Sequence, residues 1–417
     1  MSRLRRGRLF LVVTVGLLIG IATSSVMAAL AGGHGAESLA QTEPTLLPGT
    51  IALAPPMGWN GYNHYGRRVT ESIVEAEARA LVRSGMKAAG YEYVNLDGGW
   101  ALPWRSSEGK LLANPFKFPH GIKAVADYVH SLGLKFGIYT SAGMLNCAGT
   151  SAGSFGHYRQ DVATFASWGV DYVKFDWCRV PYSRFRNLSD LQVARQLIDE
   201  MGAAIAAAGR PMLYDVNSTD VGPWTWAPPA ASIWRTSTDI KATFQSLLWN
   251  FRENVVCYSL ARPGRWNDPD MLEIGNHGLT PIEEQAQFSL WAEMAAPLIA
   301  GNDLTEMTPA VRAILTNVAV IAVDQDPLGQ QGYAVASVDG HWVLTRPLAN
   351  GDRAVVLFNA TNKAAVITTT VEWIGLTGDA PAYWLVNLWT NTKVKTAGVI
   401  AARVPPHGAV MLAVTAA

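Results

Sequence analysis

The stretch Gly169-Val170-Asp171-Tyr172-Val173-Lys174-Phe175-Asp176-Trp177-Cys178 predicts a buried strand that delivers a carboxylate at its end. Its centre is rich in β-branched and aromatic residues, and a glycine precedes it. Lys174 and Asp176 are two residues apart, so both side chains point to the same face of such a strand. An internal salt bridge would explain this pair without any function. The residues at the ends of the neighbouring strands decide between that structural interpretation and a functional one.

The same order of elements, an amphipathic helix, a glycine and an apolar strand, recurs on both sides of this stretch. Glycines at positions 90, 133, 169 and 209 are about 40 residues apart, which is the size of a βα unit. Thr70, Ser189 and Thr280 are predicted helix N-caps, the last of them in the capping box 280–283. Besides the opening stretch, the predicted strands are 91–96, 134–138, 211–214, 232–235, 265–267 and 296–299.

Apolar strands that alternate with amphipathic helices indicate a parallel sheet covered by helices. About eight such units predict a (β/α)8 TIM barrel over residues 50–328. A Gly-x-Gly-x-x-Gly motif after the first strand, which would favour a Rossmann sheet, is absent from the sequence. Active sites of TIM barrels lie at the carboxyl ends of the strands. Asp97, Tyr139, Asp176 and Asp215 fall at predicted strand ends.

After Asp324-Gln325-Asp326-Pro327-Leu328-Gly329 the pattern changes to short alternating runs separated by turn residues. Residues 329–417 therefore predict an antiparallel β domain in the form of a sandwich. The alternating runs are 341–346, 353–358, 365–371, 383–388 and 410–414. No catalytic cluster occurs there, so a structural role is expected, with sugar binding as the alternative.

The amino-terminal residues predict export. Residues 1–31 carry arginines at 3, 5, 6 and 8, an apolar run from 9 to 22 and small residues near possible cleavage sites, as a secretory signal peptide does. Residues 32–49 are small and polar and predict a disordered lead-in. No later segment is apolar enough to span a bilayer, so we expect a secreted protein without membrane association after cleavage.

Composition narrows the class of partner. Lys+Arg and Asp+Glu are both 33, so nothing points to nucleic acid or an anionic membrane surface. The 15 tryptophans favour carbohydrate, because flat indole faces suit the C–H surfaces of sugars. Export would permit a disulfide. Cys147 and Cys178 each follow a predicted strand and could pair, with three free buried thiols, Cys257 included, as the alternative.

Several carboxylates lie near predicted strand ends, whereas metal-binding histidine spacings, a Walker loop and a Gly-x-Ser-x-Gly elbow are absent. Paired carboxylates without a metal or cofactor are typical of glycoside hydrolysis. Structural alternatives exist: Asp97 in a glycine turn, Asp239 as a helix cap, and 266–270 as a proline turn. The candidates are Asp97, Asp176, Asp215, Asp239, Asp268 and Asp270.

A resemblance to a known family chooses among these carboxylates. Over about residues 55–417 the chain resembles the α-galactosidases of glycoside hydrolase family 27. The motifs that carry the resemblance occur in order and are Pro55-Pro56-Met57-Gly58-Trp59-Asn60, Lys135-Phe136-Gly137-Ile138-Tyr139, Lys174-Phe175-Asp176-Trp177-Cys178, Trp234-Arg235, Asp239-Ile240, Trp266-Asn267-Asp268-Pro269-Asp270-Met271-Leu272, Ala296-Pro297-Leu298-Ile299-Ala300-Gly301-Asn302-Asp303-Leu304 and Asp326-Pro327-Leu328-Gly329.

The resemblance implies a TIM barrel with a carboxyl-terminal β domain and a retaining glycosidase that uses no cofactor. Asp176 would be the nucleophile and Asp239 the acid/base, with carboxyl groups about 5–5.5 Å apart. Lys174 would donate to sugar hydroxyls and hold Asp176 ionised. The other implied positions are Trp59 and Asp97 at the far end of the ring, Tyr139 near the reacting centre, Arg235 and Asp270 at the hydroxyls beside the anomeric carbon, and a Cys147–Cys178 bridge.

Two departures from the family pattern concern the choice of sugar. Gly98 follows Asp97 where the family usually has a second aspartate that helps to read the axial 4-hydroxyl of galactose. The segment 215–220 replaces the usual one that distinguishes a 2-hydroxyl from a 2-acetamido group. α-Galactosidase is the expected activity. The alternatives are a relative with altered glycon choice (β-L-arabinopyranosidase, α-N-acetylgalactosaminidase or isomalto-type glucan hydrolase) and a non-catalytic carbohydrate-binding protein. No oligomeric state is predicted.

Overall fold

The computed structural model describes residues 51–417. The predicted signal peptide and lead-in lie outside the described residues. No helix within the described part is long and apolar enough to cross a membrane.

Within residues 51–417, eight parallel strands form one sheet. They are β1 (Met57–Asn60), β2 (Tyr93–Leu96), β3 (Lys135–Ser141), β4 (Tyr172–Asp176), β5 (Leu213–Asn217), β6 (Ile233–Arg235), β7 (Trp266–Asp268) and β8 (Leu298–Ala300). Their order is β8-β1-β2-β3-β4-β5-β6-β7. Leu272, just after β7, forms a parallel bridge to Ala300 of β8 and joins the two edges of the sheet. The predicted TIM barrel is confirmed.

Helices cover the outside of this sheet. They are α1 (Glu71–Arg83), α2 (Ile122–Ser131), α3 (Tyr158–Trp168), α4 (Asp190–Ala207), α5 (Phe244–Val255), α6 (Pro281–Glu293), α7 (Pro309–Leu315) and α8 (Val318–Asp324). A short helix, Tyr62–Tyr65, follows β1. A β-hairpin formed by Ala101–Arg105 and Leu111–Ala113 lies between β2 and α2. Between β5 and β6 the described chain has two 3-10 turns, Thr219–Val221 and Pro223–Thr225, in place of an α-helix. Gly222 is left-handed there with φ of 57°, and a proline follows it, so a continuous helix cannot form.

Local capping chemistry sets the helix starts. The Thr70 side chain accepts from the Ile73 amide, and Ser189 and Thr280 both form capping boxes, as the sequence predicts. The structural alternative for Asp239, a helix N-cap, is wrong, because the helix that follows it begins at Phe244 and is capped by Thr243. Asp239 therefore has no capping role.

The carboxyl-terminal domain contains two antiparallel sheets. Its strands are β9 (Tyr333–Val338), β10 (His341–Pro347), β11 (Arg353–Asn359), β12 (Ala365–Thr370), β13 (Tyr383–Asn387), β14 (Lys393–Thr396), β15 (Val399–Val404) and β16 (Ala409–Ala416). The larger sheet has the order β9-β10-β11-β16-β13-β14, and β12 pairs with β15. Apolar side chains of both sheets form one core, which confirms the predicted antiparallel domain. β9, β14 and β15 were not among the predicted strands.

This domain packs firmly on the barrel helices. The buried Arg346 donates to the carbonyl oxygens of Ala292 (2.8 Å) and Asp324 (3.2 Å). The His407 ring stacks on Phe244 of α5 with ring centroids 3.6 Å apart. These contacts join the carboxyl-terminal β domain to the outer helices of the barrel.

Candidate active site

A cavity of about 90 Å³ lies at the carboxyl ends of the barrel strands; we call it the inner cavity. Strands β3, β4, β5 and β6 and the loops after β1, β2, β3, β6 and β7 contribute to it, because parallel strands bring their carboxyl ends to one rim of the barrel. Its lining residues are Tyr62, Asn63, Asp97, Gly98, Tyr139, Asn146, Cys147, Ala148, Lys174, Asp176, Asn217, Arg235, Asp239, Asp270 and Met271.

The first feature of the inner cavity is an ion pair between Lys174 and Asp97. Lys174 Nζ lies 2.7 Å from Asp97 Oδ2, which also accepts from the Asn60 side chain at 2.7 Å. Burial disfavours the charged form of Asp97, but Lys174 and these hydrogen bonds outweigh it and lower the pKa of the carboxyl. Burial likewise acts against the Lys174 ammonium, yet Asp97 raises its pKa above the usual value. Both groups are therefore charged at neutral pH.

Asp176 lies beside this pair on the same face of β4 as Lys174. The Tyr139 hydroxyl donates to Asp176 Oδ2 at 2.9 Å, and the Trp177 amide donates to Oδ1 at 2.9 Å. Burial raises the pKa of Asp176 to about 6, while Lys174 and Tyr139 act in the opposite direction. The direct partner of Lys174 is Asp97, so Lys174 favours the ionised form of Asp176 only through space.

Arg235 organises the opposite wall. Its guanidinium lies 3.0 Å from Asp239, 2.8 Å from Asp270 and 3.5 Å from Asp268, although its side chain is only 2% exposed. The Asp239 side chain is 85% exposed, so this carboxylate reaches out from a buried cation into the open part of the cavity. An acid held in this way can meet a group that enters from solvent.

Asp270 is held in an uncommon backbone conformation, with φ of 81°. Its Oδ2 accepts from the Ile240 amide at 2.7 Å and its Oδ1 from the Met271 amide at 2.8 Å. Burial raises the pKa of Asp270 to about 7 against the attraction of Arg235. Strained residues with several restraints cluster at functional sites, which is consistent with a binding role.

The charges of the inner cavity favour a neutral ligand that becomes positive as it reacts. Carboxylates outnumber cations, so an anionic ligand would be repelled, whereas hydroxyl groups can both donate and accept. Developing positive charge would be stabilised by the carboxylates that already surround it. The ionisable groups that line the cavity are Asp97, Asp176, Asp239, Asp270, Lys174 and Arg235.

A disulfide between Cys147 and Cys178 stands beside Asp176, with Cα atoms 4.9 Å apart, which confirms the predicted disulfide. Cys147 Sγ lies 3.0 Å from Asp176 Oδ2, and since a disulfide sulfur carries no proton this is a packing contact. Cys257 is a buried free thiol next to α5, and burial raises its pKa to about 11, so it behaves as an inert apolar group.

Three of the candidate residues, Trp59, Asp215 and Asp268, are not among the described residues that line the inner cavity. Trp59 is 1% exposed and donates to the Asn302 carbonyl at 2.8 Å. Asp215 lies inside β5 and accepts from the Tyr172 hydroxyl at 2.8 Å, because that strand extends to residue 217. Asp268 lies 3.5 Å from Arg235 Nε.

Asn217 was predicted only as part of the segment 215–220 and not as a site residue of its own; it ends β5 and lines the inner cavity. Asn217 is the register partner of Asp176 on β4, as Asp215 is of Lys174. Residues two apart share a strand face, so a strand that ends at residue 217 places Asn217 on the same face as Asp215. Tyr62 and Asn63 of the short helix after β1 and Asn146 of the loop after β3 also line the cavity, and no periodic pattern marks them.

Known proteins resemble this chain over most of its length. Residues 55–326 match the family described as "Alpha galactosidase A", and residues 338–414 match the "Alpha galactosidase C-terminal beta sandwich domain". A probable alpha-galactosidase of Dictyostelium discoideum is 41% identical over 372 residues, which cover 88% of this chain and 93% of the relative.

Two solved structures share the fold. The structure of alpha-galactosidase I from Mortierella vinacea aligns with a TM-score of 0.82 and 34% identity over 88% of this chain and 98% of its own. The alpha-galactosidase from Saccharomyces cerevisiae with raffinose aligns with a TM-score of 0.81 and 26% identity over 88% and 98% of the two chains.

Proposed function

We propose that this chain, which belongs to the α-galactosidase family of glycoside hydrolases (glycoside hydrolase family 27), removes terminal α-galactosyl groups from carbohydrates by a retaining double displacement. The observation that carries the proposal is that Asp176 and Asp239 line one small cavity at the catalytic rim of the barrel. The raffinose complex of the yeast relative supports a carbohydrate substrate.

In the first step Asp176 attacks the anomeric carbon and forms a covalent glycosyl ester. Its carboxylate is oriented by the Tyr139 hydroxyl and the Trp177 amide, so one oxygen lone pair is free to face the sugar. Asp239 gives its proton to the glycosidic oxygen as the bond breaks. In the second step Asp239 removes a proton from water, which attacks the same carbon and releases Asp176.

The remaining groups bind and polarise the sugar. Lys174 and Asp97 offer a donor and an acceptor to hydroxyls deep in the inner cavity, and Arg235 and Asp270 do so on the opposite wall. Because these groups are already paired and fixed, the sugar binds to them without reorganisation of the site. The oxocarbenium-like transition state gains from the surrounding carboxylates.

A panel of p-nitrophenyl glycosides tests the activity: α-galactoside, β-L-arabinopyranoside, α-N-acetylgalactosaminide and α-glucoside. We expect the α-galactoside to be hydrolysed fastest and its first product to be the α-anomer, measured by proton NMR before mutarotation. A β-anomer as first product would contradict the retaining mechanism. Hydrolysis of none of the four would favour a non-catalytic sugar-binding protein.

Gly98 bears directly on the choice of sugar. A Cβ atom added there would meet Tyr139 at 3.4 Å, an ordinary contact, so an aspartate can be accommodated. We expect Gly98→Asp to raise kcat/KM for the α-galactoside about tenfold, because it adds a charged acceptor for a substrate hydroxyl. Gly98→Ala fills the space without an acceptor and should give no gain. A gain for another glycoside of the panel instead would identify an altered glycon.

The pKa of Asp176 predicts an acid limb in the pH profile. The nucleophile must be ionised, and burial raises its pKa to about 6, so kcat/KM should fall with a slope of one proton as the pH drops below about 6. Tyr139→Phe removes a hydrogen bond that favours the carboxylate, so the limb should move to higher pH. A profile that is flat from pH 7 to pH 5 would contradict the assignment.

Secretion is part of the proposal. The predicted signal peptide supports it, and a disulfide beside the site suits an oxidising compartment. Sequencing the amino terminus of protein collected from culture medium tests it: a mature chain that starts near residue 32 is expected, and retention of residue 1 inside the cell would contradict it.

A further inference from the structure

A second, wider depression adjoins the inner cavity; we call it the outer groove. Its volume is about 790 Å³, against about 90 Å³ for the inner cavity. Ligand pockets that enclose molecules of several rings commonly measure about 300–1,000 Å³. Cys147, Asp176, Asn217 and Asp239 line both spaces. The two carboxylates that would cleave the glycosidic bond therefore stand at the boundary between them.

The outer wall of the groove is one face of α5 and the loop before it. Gln245, Ser246 and Trp249 line the groove, and positions separated by three and four residues share one side of a helix. The opposite side of α5 carries Leu247 and Phe251, which are fully buried in the core. The orientation of α5 is thereby fixed, and Trp249 is held at the groove.

Trp249 is unusual in being a large aromatic side chain that is 54% exposed in a cavity wall. Within residues 51–417 its ring has no aromatic or cation partner, and its indole N–H makes no hydrogen bond. Trp177 also lines the groove, but it is 7% exposed and its Nε1 donates to the Tyr182 hydroxyl at 3.0 Å. Trp249 is the aromatic surface here that a ligand can reach.

The charges of the groove exclude an acidic ligand. Asp176, Asp220 and Asp239 face it, and Lys241 is the cation among its lining residues. A phosphate or uronate would meet net negative charge, whereas neutral hydroxyls can bond to both signs. A flat indole beside polar groups suits a neutral pyranose, whose C–H face packs on the ring while its hydroxyls bond at the edge.

We propose that the outer groove is the leaving-group site and that Trp249 is the platform on which the first leaving sugar stacks. This inference rests on the proposed function and extends it by naming the residue that binds the leaving group. The sugar in the inner cavity and the one on Trp249 are joined through the oxygen that Asp239 protonates.

Two substrates with the same glycon test this assignment. α-Galactosyl fluoride releases only fluoride and leaves the groove empty, whereas raffinose places a sugar in it. We expect Trp249→Ala to lower kcat/KM for raffinose about tenfold and for the fluoride less than about twofold. Trp249→Phe keeps a flat ring and should retain most of the raffinose activity.

The matched control is Trp373→Ala, since Trp373 is 65% exposed in the carboxyl-terminal domain and outside both spaces. This change should leave both rates as they are. Equal loss on both substrates, or no loss on raffinose, would overturn the role of Trp249 and favour a different use of this surface, such as protein contact. If the unchanged enzyme cleaves neither substrate, the proposed function fails, which is a separate outcome.

Discussion

Replacement of Asp176 by asparagine is expected to lower kcat at least about 10³-fold on every substrate, including those with activated leaving groups. Asparagine keeps the shape of the side chain and can still accept from the Tyr139 hydroxyl, but its amide cannot form the glycosyl ester. Because both chemical steps pass through that ester, a better leaving group cannot restore the rate. Steady-state and single-turnover kinetics on p-nitrophenyl α-galactoside measure the loss.

The fold should survive this substitution. The folded-state pKa of Asp176 is raised to about 6, so above that pH the ionised carboxylate disfavours the folded state relative to the unfolded one. A neutral asparagine removes this cost, and the melting temperature should be equal to or above that of the original protein at pH 7. Asp379→Asn makes the same chemical change in an exposed carboxylate of the carboxyl-terminal domain, outside both spaces, and should leave kcat nearly unaltered. Near-normal turnover by the Asp176 variant would remove it as nucleophile.

Replacement of Asp239 by alanine should have an effect that depends on the leaving group. Loss of a general acid commonly costs about 10²–10⁴-fold, and we expect this loss in kcat/KM for raffinose, whose leaving oxygen needs a proton. For α-galactosyl fluoride, which leaves without one, the loss in kcat/KM should be far smaller. Azide should speed turnover of the covalent intermediate and give the α-glycosyl azide, identified by NMR.

Asp239 can be truncated safely because its side chain is 85% exposed and caps no helix. Thermal unfolding should therefore change little, although Arg235 loses one of its three carboxylate partners. Asp379→Ala, a change at an exposed carboxylate outside both spaces, is the control for removal of a surface carboxylate. A uniform loss across both leaving groups, without azide rescue, would assign Asp239 to binding and leave the acid/base to be found elsewhere.

Local patterns were enough to predict most of the scaffold. Thr70, Ser189 and Thr280 cap helices as their spacing indicates, and Gly169 ends α3 in the left-handed conformation. Such features depend on contacts between residues a few positions apart, which a sequence displays directly. The predicted strand ends were less accurate: β5 extends beyond residue 214, which places Asp215 inside the sheet and Asn217, predicted in a loop, at the end of the strand.

Periodicity and capping are local properties, so the barrel, the β domain and the strands that carry Lys174 and Asp176 can be predicted from the order of residues alone. The resemblance to a family indicated the functional side chains, whereas the partners of those side chains are known only from the folded chain. Lys174 pairs with Asp97, 77 residues away, and Trp59 is tied to Asn302, 243 residues away. The outer groove likewise forms only in the folded chain, where Trp249 of α5 and Asp176 of β4 line one space, because burial and charge pairing depend on distances in space that chain order does not contain.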